Sequence, residues 1–540
     1  MRFKPDHRAG TDSSASAATS SPKSALRIAI AYPPFRKNGA LPLLTQNRQS
    51  KFTQSDQVRI YPLVMASAAT MLRRDGHDVL WLDGINERLS MADYETRLAA
   101  FRPDWIVLET KTPLIRLHWE HIRHLKDRLG CRVLLLGDHL FHRPEESFEH
   151  SDPDVLVVAG DYDFVLRDFF AFETGRRPDR PGGLFWKENG GIRNSGRAEF
   201  YELGGAPQID RDLTRWKLYG EAYLLRPVAY ILTGRGCGGR NPDQPEPGAG
   251  RMEWRETKGT SLPGRCTFCV WQYTFWGVCA RLRPVRDVAD EIEDLVTRHG
   301  VAEVFDDNES GPLWHKPWLR EFVAEMERRG LPRRVRFSTN ARADNLDEET
   351  IALCRRLNVR LLKIGLESGN NETLRRLKKD ETIEEISAGV LRAKRAGLVV
   401  LLTTMVGYPW ETEEGARQTY EATRRLMLTH THFGDSLQAS VVIPYPGTPL
   451  YQKAVREGWF IVDPTDYDRF DQSEPVLRTE IDTTAWCRRM WAIMKHPLFL
   501  LRSALTLRSR NDLRLAWNGL RSLRGHLHDY GTESGDRPCA

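Results

Sequence analysis

The chain has 540 residues, with 79 Lys and Arg against 73 Asp and Glu, and 40% of it is hydrophobic. At roughly 150 residues per domain this length predicts about three to four units, and the composition excludes a disordered chain. No apolar run approaches the ~20 residues of a membrane-spanning helix, and eight cysteines are too sparse for a secreted disulfide scaffold. The expectation is a soluble, multidomain, cytoplasmic protein.

Residues 1–25, rich in Ser, Ala and Thr without an apolar core, predict a disordered tail rather than a secretory signal. Short apolar runs then alternate with helical patterns. Strands are expected at Leu26–Tyr32, Val79–Leu82, Trp105–Leu108, Val133–Leu136 and Val155–Val158, with helices at Leu63–Arg74 and His118–Leu129. Near-continuous apolar strands separated by helices imply a parallel sheet covered on both faces, a Rossmann-like domain over 26–180. Ligands of such sheets bind at the carboxyl ends of the strands. Here those ends carry Pro33-Pro34, Asp83-Gly84, Gly137-Asp138-His139 and Gly160-Asp161.

A Gly/Pro-rich stretch within 181–225 predicts a hairpin or linker. Beyond it, strands are expected at Val228–Thr233, Glu303–Phe305, Val335–Ser338, Leu361–Ile364, Leu398–Val406 and Ser440–Ile443. Helical patterns at Asp287–Arg298, Pro317–Arg329, Asp347–Leu357 and Glu384–Ala396 lie between them. This alternation predicts an α/β fold with a whole or partial (β/α)6 TIM-type barrel over 226–455, its chemistry at the carboxyl ends of the strands.

Residues 456–540 form a basic helical C-terminal region. Between Cys487 and His528 stand nine Arg and Lys against one acid, Asp512, so this stretch holds +8 of a net +6. Its apolar residues recur at helical spacing. A basic amphipathic segment fits either a helical cap with solvated arginines or contact with an anionic membrane surface through 487–528. No dedicated nucleic-acid-binding motif accompanies the charge.

Gly234-Arg235-Gly236-Cys237-Gly238-Gly239 matches G-x-G-x-x-G, but the Pro-rich stretch that follows cannot open the helix a pyrophosphate site requires. The informative residues are Cys237, Cys266 and Cys269, with Cys279 in reserve. Cys266-Thr267-Phe268-Cys269 is a C-x-x-C turn, whose two thiolates suit zinc or an iron–sulfur cluster, and there is no second C-x-x-C to complete a structural zinc site. Three cysteines would leave one iron of a four-iron cluster open. Buried, unligated thiols remain the expectation for Cys131, Cys354 and Cys487.

These residues resemble the radical S-adenosylmethionine (SAM) superfamily, in the branch with an N-terminal cobalamin-binding domain. In that family a Gly-Cys after the first barrel strand opens a C-x-x-x-C-x-φ-C motif, φ being aromatic. Gly236-Cys237 matches the opening and Arg265-Cys266-Thr267-Phe268-Cys269 the close, with 28 residues between Cys237 and Cys266 instead of three. Loop closure makes that insertion cost only about 2 kcal/mol. The resemblance continues in order along the chain. Phe305-Asp306-Asp307-Asn308 looks like the family's F-x-D-D, and Thr339-Asn340-Ala341-Arg342-Ala343-Asp344 like T-x-x-R-x-D. Ile364-Gly365-Leu366-Glu367-Ser368-Gly369 resembles I-G-x-E-S-G, Gly407-Tyr408-Pro409-Trp410-Glu411-Thr412 the G-x-P-x-E-T turn, and Pro444-Tyr445-Pro446-Gly447-Thr448 the P-Y-P-G-T turn. Taken singly, the aspartates also fit a helix N-cap, Glu367 a surface charge and the Pro-Gly strings turns.

The resemblance implies that Cys237, Cys266 and Cys269 ligate a 4Fe-4S cluster. It implies SAM contacts from Phe268, Asp306, Asp307, Asn340, Arg342, Glu367, Ser368 and Gly407. Pro33, Pro34, Gly137, Asp138, His139 and Gly160 would face cobalamin. Two departures qualify the first domain. No D-x-H-x-x-G follows Asp75-Gly76-His77, so a histidine lower ligand to cobalt is absent, and Asp161-Tyr162-Asp163 replaces a Glu-Gly-Glu.

The implied activity is reductive cleavage of SAM to a 5′-deoxyadenosyl radical, with flavodoxin or ferredoxin as the reductant. The expected outcome is cobalamin-dependent C-methylation of an unactivated carbon. Ring formation or rearrangement without methyl transfer is the alternative, and a non-catalytic metal-binding scaffold the remote one. The basic tail points to a small anionic or lipid-like substrate.

Overall fold

The computed structural model describes residues 25–44, 52–53, 58–196, 198, 200–237, 266–271, 280–472, 474–507 and positions 512, 515 and 517. The expected tail over residues 1–24, the insert 238–265, Cys279 and most of the chain beyond 507 lie outside them.

The first sheet has seven strands: β1 (Arg27–Tyr32), β2 (Asp78–Asp83), β3 (Trp105–Thr110), β4 (Arg132–Gly137), β5 (Val155–Val157), β6 (Leu184–Glu188) and β7 (Gly191–Asn194). Their order is β2-β1-β3-β4-β5-β6-β7. The first five are parallel, and the β6–β7 hairpin joins the edge antiparallel to β5. β3 is buried along its whole length and β1 and β4 everywhere but their first residue, as strands covered on both faces must be. At the end of β4, Gly137 has φ 143°, and a Cβ there would lie 2.1 Å from the Thr110 carbonyl oxygen, so only glycine lets the chain turn off the sheet.

Helices α1 (Leu63–Arg74), α2 (Met91–Phe101), α3 (Ile115–Leu129), α4 (Pro144–His150) and α5 (Tyr162–Glu173) complete this half. Periodicity predicts neither α2 nor α5. Only Tyr94 and Leu98 of α2 are buried, whereas α5 is buried nearly all round its first turns and shows no polar face.

The second sheet is six-stranded and parallel: β8 (Val228–Ile231), β9 (Glu303–Asp306), β10 (Arg336–Ala341), β11 (Val359–Glu367), β12 (Val399–Val406) and β13 (Ser436–Val441). They stand in sequence order, and among the described residues β8 and β13 are not paired, so the barrel is partial. The helices between its later strands, and the one after the last, start on side-chain caps: Asp347, Asn370, Thr382, Thr412 and Thr448 each accept a hydrogen bond from a first-turn amide. After β13, α6 (Thr483–Ala492) packs on β13, where the Trp491 indole donates to the Ala439 carbonyl at 3.0 Å, and its Trp486 indole donates to Glu413 of the helix Glu413–Leu428 at 3.1 Å. A further helix, Pro497–Leu505, follows. Among the described residues no helix is long and apolar enough to cross a membrane.

Candidate active site

The burial of β11, β12 and β13 is inverted relative to a filled barrel. Their outward residues are fully buried beneath helices, while inward-pointing Lys363, Gly365, Glu367, Thr403, Ser436 and Gln438 are only half-buried. A closed (β/α)8 barrel fills its interior with side chains; this one encloses a cavity of about 980 Å³.

Cys237, Cys266 and Cys269 line that cavity together. The C-x-x-C turn is held on both sides: Thr267 N–H donates to the Leu377 carbonyl (2.9 Å), and Leu450 N–H donates to the Thr267 carbonyl (3.0 Å). Leu450 is available because Thr448, from the Pro-Gly-Thr string, caps the helix Pro449–Arg456. The turn string thus positions the thiols. Cys237 leaves its strand through a two-residue antiparallel ladder, Gly234–Arg235 against Arg281–Leu282, which closes the neck of the inserted loop. Burial pushes the Cys266 thiol up to about 11 in the metal-free chain, against the pull of Lys379 and Arg342. Among the described residues no three such side chains stand close enough to hold a single metal ion; three thiols lining one cavity beside Lys379 and Arg342 suit the larger iron–sulfur cluster, whose charge would keep them as thiolates.

Five of the eight residues assigned to SAM, Phe268, Asp307, Asn340, Arg342 and Glu367, line the same cavity. Glu367 is no surface charge: it sits in the left-handed region (φ 61°) with Lys379 Nζ 3.6 Å from its carboxylate. Arg342 pairs with Asp344 (2.8 Å) and Glu381 (3.5 Å), and donates to the Lys379 carbonyl. Lys379 also meets Glu381 at 3.3 Å. Burial raises the Glu367 carboxyl, opposed by Lys379. The linked set presents carboxylate, guanidinium and ammonium groups suited to an amino acid and a ribose.

The other three stand behind the wall. Asp306 accepts from Thr233 N–H and Oγ (both 2.8 Å) and from Thr339 Oγ (2.9 Å), tying the ends of β8, β9 and β10; burial lifts its carboxyl to about 6. Ser368 is buried against Thr419 Oγ at 3.2 Å. Gly407 (φ 98°) donates to Glu411 at 2.7 Å, and a Cβ there would lie 2.7 Å from Thr483. Lys379, Glu309, Lys363, Gln438, Trp271 and the tail residues Trp491 and Phe499 line the cavity without having been expected to. Nothing in the sequence signals which lysine of Lys378-Lys379 folds back onto Glu367.

None of the six residues assigned to cobalamin is among the residues lining this cavity. They lie at the carboxyl edge of the first sheet. There Lys111 and Asp138 form a buried ion pair (2.8 Å), Lys111 Nζ lies 5.3 Å from the Trp271 ring centre, and Tyr32 donates to Glu109 at 2.7 Å. The His139 Nδ1 is 3.2 Å from Thr112 Oγ, and its Nε2 is buried without a hydrogen bond. Asp161 and Asp163 are clamped by Arg235 (2.8 and 2.6 Å) and Asp161 also by Arg281 (2.8 Å), so the substituted acidic pair grips the neck of the cysteine loop. Burial alone would raise Asp161, but the two arginines hold it at about 2. His77 lies at the opposite edge, accepting from Leu26 N–H (3.2 Å) with Arg176 at 2.6 Å, and is no ligand candidate.

Residues 263–423 match the family model described as the radical SAM superfamily. The chain is 23% identical over 420 residues to the uncharacterized methyltransferase PH0819 of Pyrococcus horikoshii, covering 77% of this chain and 83% of the relative. It is 24% identical over 429 residues to the anaerobic magnesium-protoporphyrin IX monomethyl ester cyclase of Cereibacter sphaeroides, covering 77% and 63%. Its fold is similar to that of the radical SAM methyltransferase TsrM of Kitasatospora setae, solved with cobalamin and a 4Fe-4S cluster, at TM-score 0.63 and 18% identity over 94% of this chain and 98% of TsrM. The cysteine loop, the ordered strand-end motifs and the two-sheet fold agree with this match: residues 263–423 carry a radical SAM domain, within a fold similar to that of TsrM.

Proposed function

We propose that the protein is a cobalamin-dependent radical SAM methyltransferase acting on an unactivated carbon of a small molecule. The observation that carries this is the convergence of Cys237, Cys266 and Cys269 with Asn340, Arg342, Glu367 and Lys379 on one cavity at the carboxyl ends of the barrel strands. When bound, a 4Fe-4S cluster and SAM supply the 5′-deoxyadenosyl radical, and cobalamin supplies the methyl group. The chain's own residues bind, orient and exclude water. Arg342 and Lys379 would hold the carboxylate of SAM, Glu367 its ribose or amino group, and Phe268 its base. The first sheet holds the loop neck through Asp161 and Asp163. The reductant is a flavodoxin or ferredoxin.

Anaerobic reconstitution with dithionite, SAM and methylcobalamin tests the reading. Formation of 5′-deoxyadenosine that is lost in Cys266→Ala supports it. One bound zinc with no iron would instead identify a metal-binding scaffold. The similarity to a cyclase over 429 residues favours ring formation without methyl transfer as the second reading. SAM labelled with deuterium in its methyl group separates the two, since only methylation carries the label into product.

The tail supports a peripheral membrane role for 487–528. Leu500, Leu501, Leu505 and Trp517 are exposed, beside Arg488, Arg489 and Arg502. Co-sedimentation of the full chain with anionic liposomes, set against a full-length variant with Leu501→Ser and Leu505→Ser, tests it; equal binding rejects the role.

A further inference from the structure

The inner wall of the cavity sorts into tiers by strand register. Asn340, Lys363, Leu401 and Ser436 stand level across β10 to β13, and Gly365, Thr403 and Gln438 form the next tier toward the carboxyl ends. Lys363 points inward from β11, half-buried, in a cavity that also exposes Leu401, Met405, Trp491 and Phe499.

Its neighbours leave it uncompensated. Arg342 is paired with Asp344 and Glu381, and Lys379 with Glu367 and Glu381. The lining acids are engaged elsewhere: Glu221 accepts from Tyr223 (2.6 Å), Asp307 from the Asn340 side-chain amide (3.4 Å), Asp435 pairs with Lys394 (3.0 Å), and Glu309 accepts from Gly236 N–H (2.9 Å). Among the described residues, the Lys363 ammonium has no hydrogen-bond or ion-pair partner. A charge drawn from water into a largely apolar chamber is disfavoured unless an opposite charge meets it. Gln438, one tier above, likewise has a free side-chain amide among the described residues.

We propose that Lys363 is the anion anchor of the substrate chamber, and that the molecule transformed there has an apolar body carrying one carboxylate or phosphate group. Lys363 lies four residues before Glu367 on one strand that is bulged between Gly365 and Glu367, at most about 13 Å away at ~3.3 Å per residue, so a small molecule can reach from one to the other. The inference rests on the cavity being the reaction chamber, and its test needs no turnover, so it fails or stands separately from the radical chemistry.

The full-length protein is titrated with anilinonaphthalene sulfonate, an apolar body with one anionic group, and with its neutral counterpart N-phenyl-naphthylamine. Lys363→Met should weaken the sulfonate about tenfold, ~1.4 kcal/mol, and leave the neutral probe unchanged. Lys363→Arg should restore binding, which a folding defect would not permit. Decanoate and decyl phosphate should displace the sulfonate from the wild type, and the better of the two names the group recognised. The proposal is overturned if Lys363→Met binds both probes like the wild type, or if decanol displaces the sulfonate as well as either anion. It is also overturned if equilibrium dialysis shows SAM itself weakened tenfold in Lys363→Met, which would place the lysine in the cofactor site.

Discussion

The two parallel sheets end in opposite ways. At the carboxyl ends of the barrel strands, ionisable groups border an open chamber. At the carboxyl ends of the first sheet, equally polar residues are consumed by one another: Lys111 by Asp138, Tyr32 by Glu109, and Asp161 and Asp163 by arginines of the cysteine loop's neck. The same strand–helix topology builds both edges. The difference lies in where the paired charges stand: Arg342, Lys379 and Glu367 are paired yet line a chamber, with Lys363 beside them unpartnered among the described residues, whereas the pairs of the first sheet line none of it. On the first sheet, Asp161 and Asp163 hold Arg235 and Arg281, the two sides of the neck from which Cys237 emerges.

That contrast can be broken residue by residue. The largest effect is expected on the open edge, where Cys266→Ala should abolish iron loading altogether, read as iron per protein after reconstitution. On the closed edge, Lys111→Met or Asp138→Leu alone leaves a buried charge unpaired and should cost about 3–5 kcal/mol in denaturant unfolding. The double variant should recover most of that loss, because two apolar groups need no partner. A single-site cost that persists in the double variant would contradict the pairing.

Glu411 sharpens the comparison at an intermediate scale. Burial lifts its carboxyl to about 7, although the Gly407 and Tyr408 amides donate to it. Its folded value stands above its ordinary value of 4.5, so the folded state binds a proton the unfolded chain lacks, and stability rises as pH falls from 7 toward 4.5. Glu411→Gln should remove that rise, ~1–3 kcal/mol, measured by urea unfolding at pH 7.5 and 5. The smallest effect is expected for Lys363→Met, which breaks no internal pair and should shift stability by no more than about 0.5 kcal/mol.

Most parallel strands were legible in the sequence because they are short apolar runs with a breaker after them; Ser436–Val441, which alternates Ser and Gln with apolar residues at its start, overlaps its predicted Ser440–Ile443 by only two residues. Arg27–Tyr32 and Val399–Val406 fall within one residue of the predicted bounds, and the helix Leu63–Arg74 coincides with its prediction. The helix Glu413–Leu428 is not predicted as such, though Thr412 and two glutamates mark its start. In the site, the cysteines and Glu367 declare themselves by motif. Lys379 and Lys363 do not, since a lysine's partner, or its lack of one, is set by tertiary neighbours hidden from local pattern. The same holds for the first sheet. The substitutions at Asp161 and Asp163 are visible in the chain, but Arg235 and Arg281 as their partners emerge only in three dimensions. The basic tail shows its amphipathicity in sequence, but not that Trp491 and Phe499 would line the chamber.

The central claim, that the open edge is a radical SAM site, is tested most directly by anaerobic reconstitution of the wild type followed by reduction with SAM. The account predicts about four irons per chain and time-dependent 5′-deoxyadenosine. A chain that loads iron to that level yet forms no 5′-deoxyadenosine, or that takes up zinc in place of iron, would contradict it.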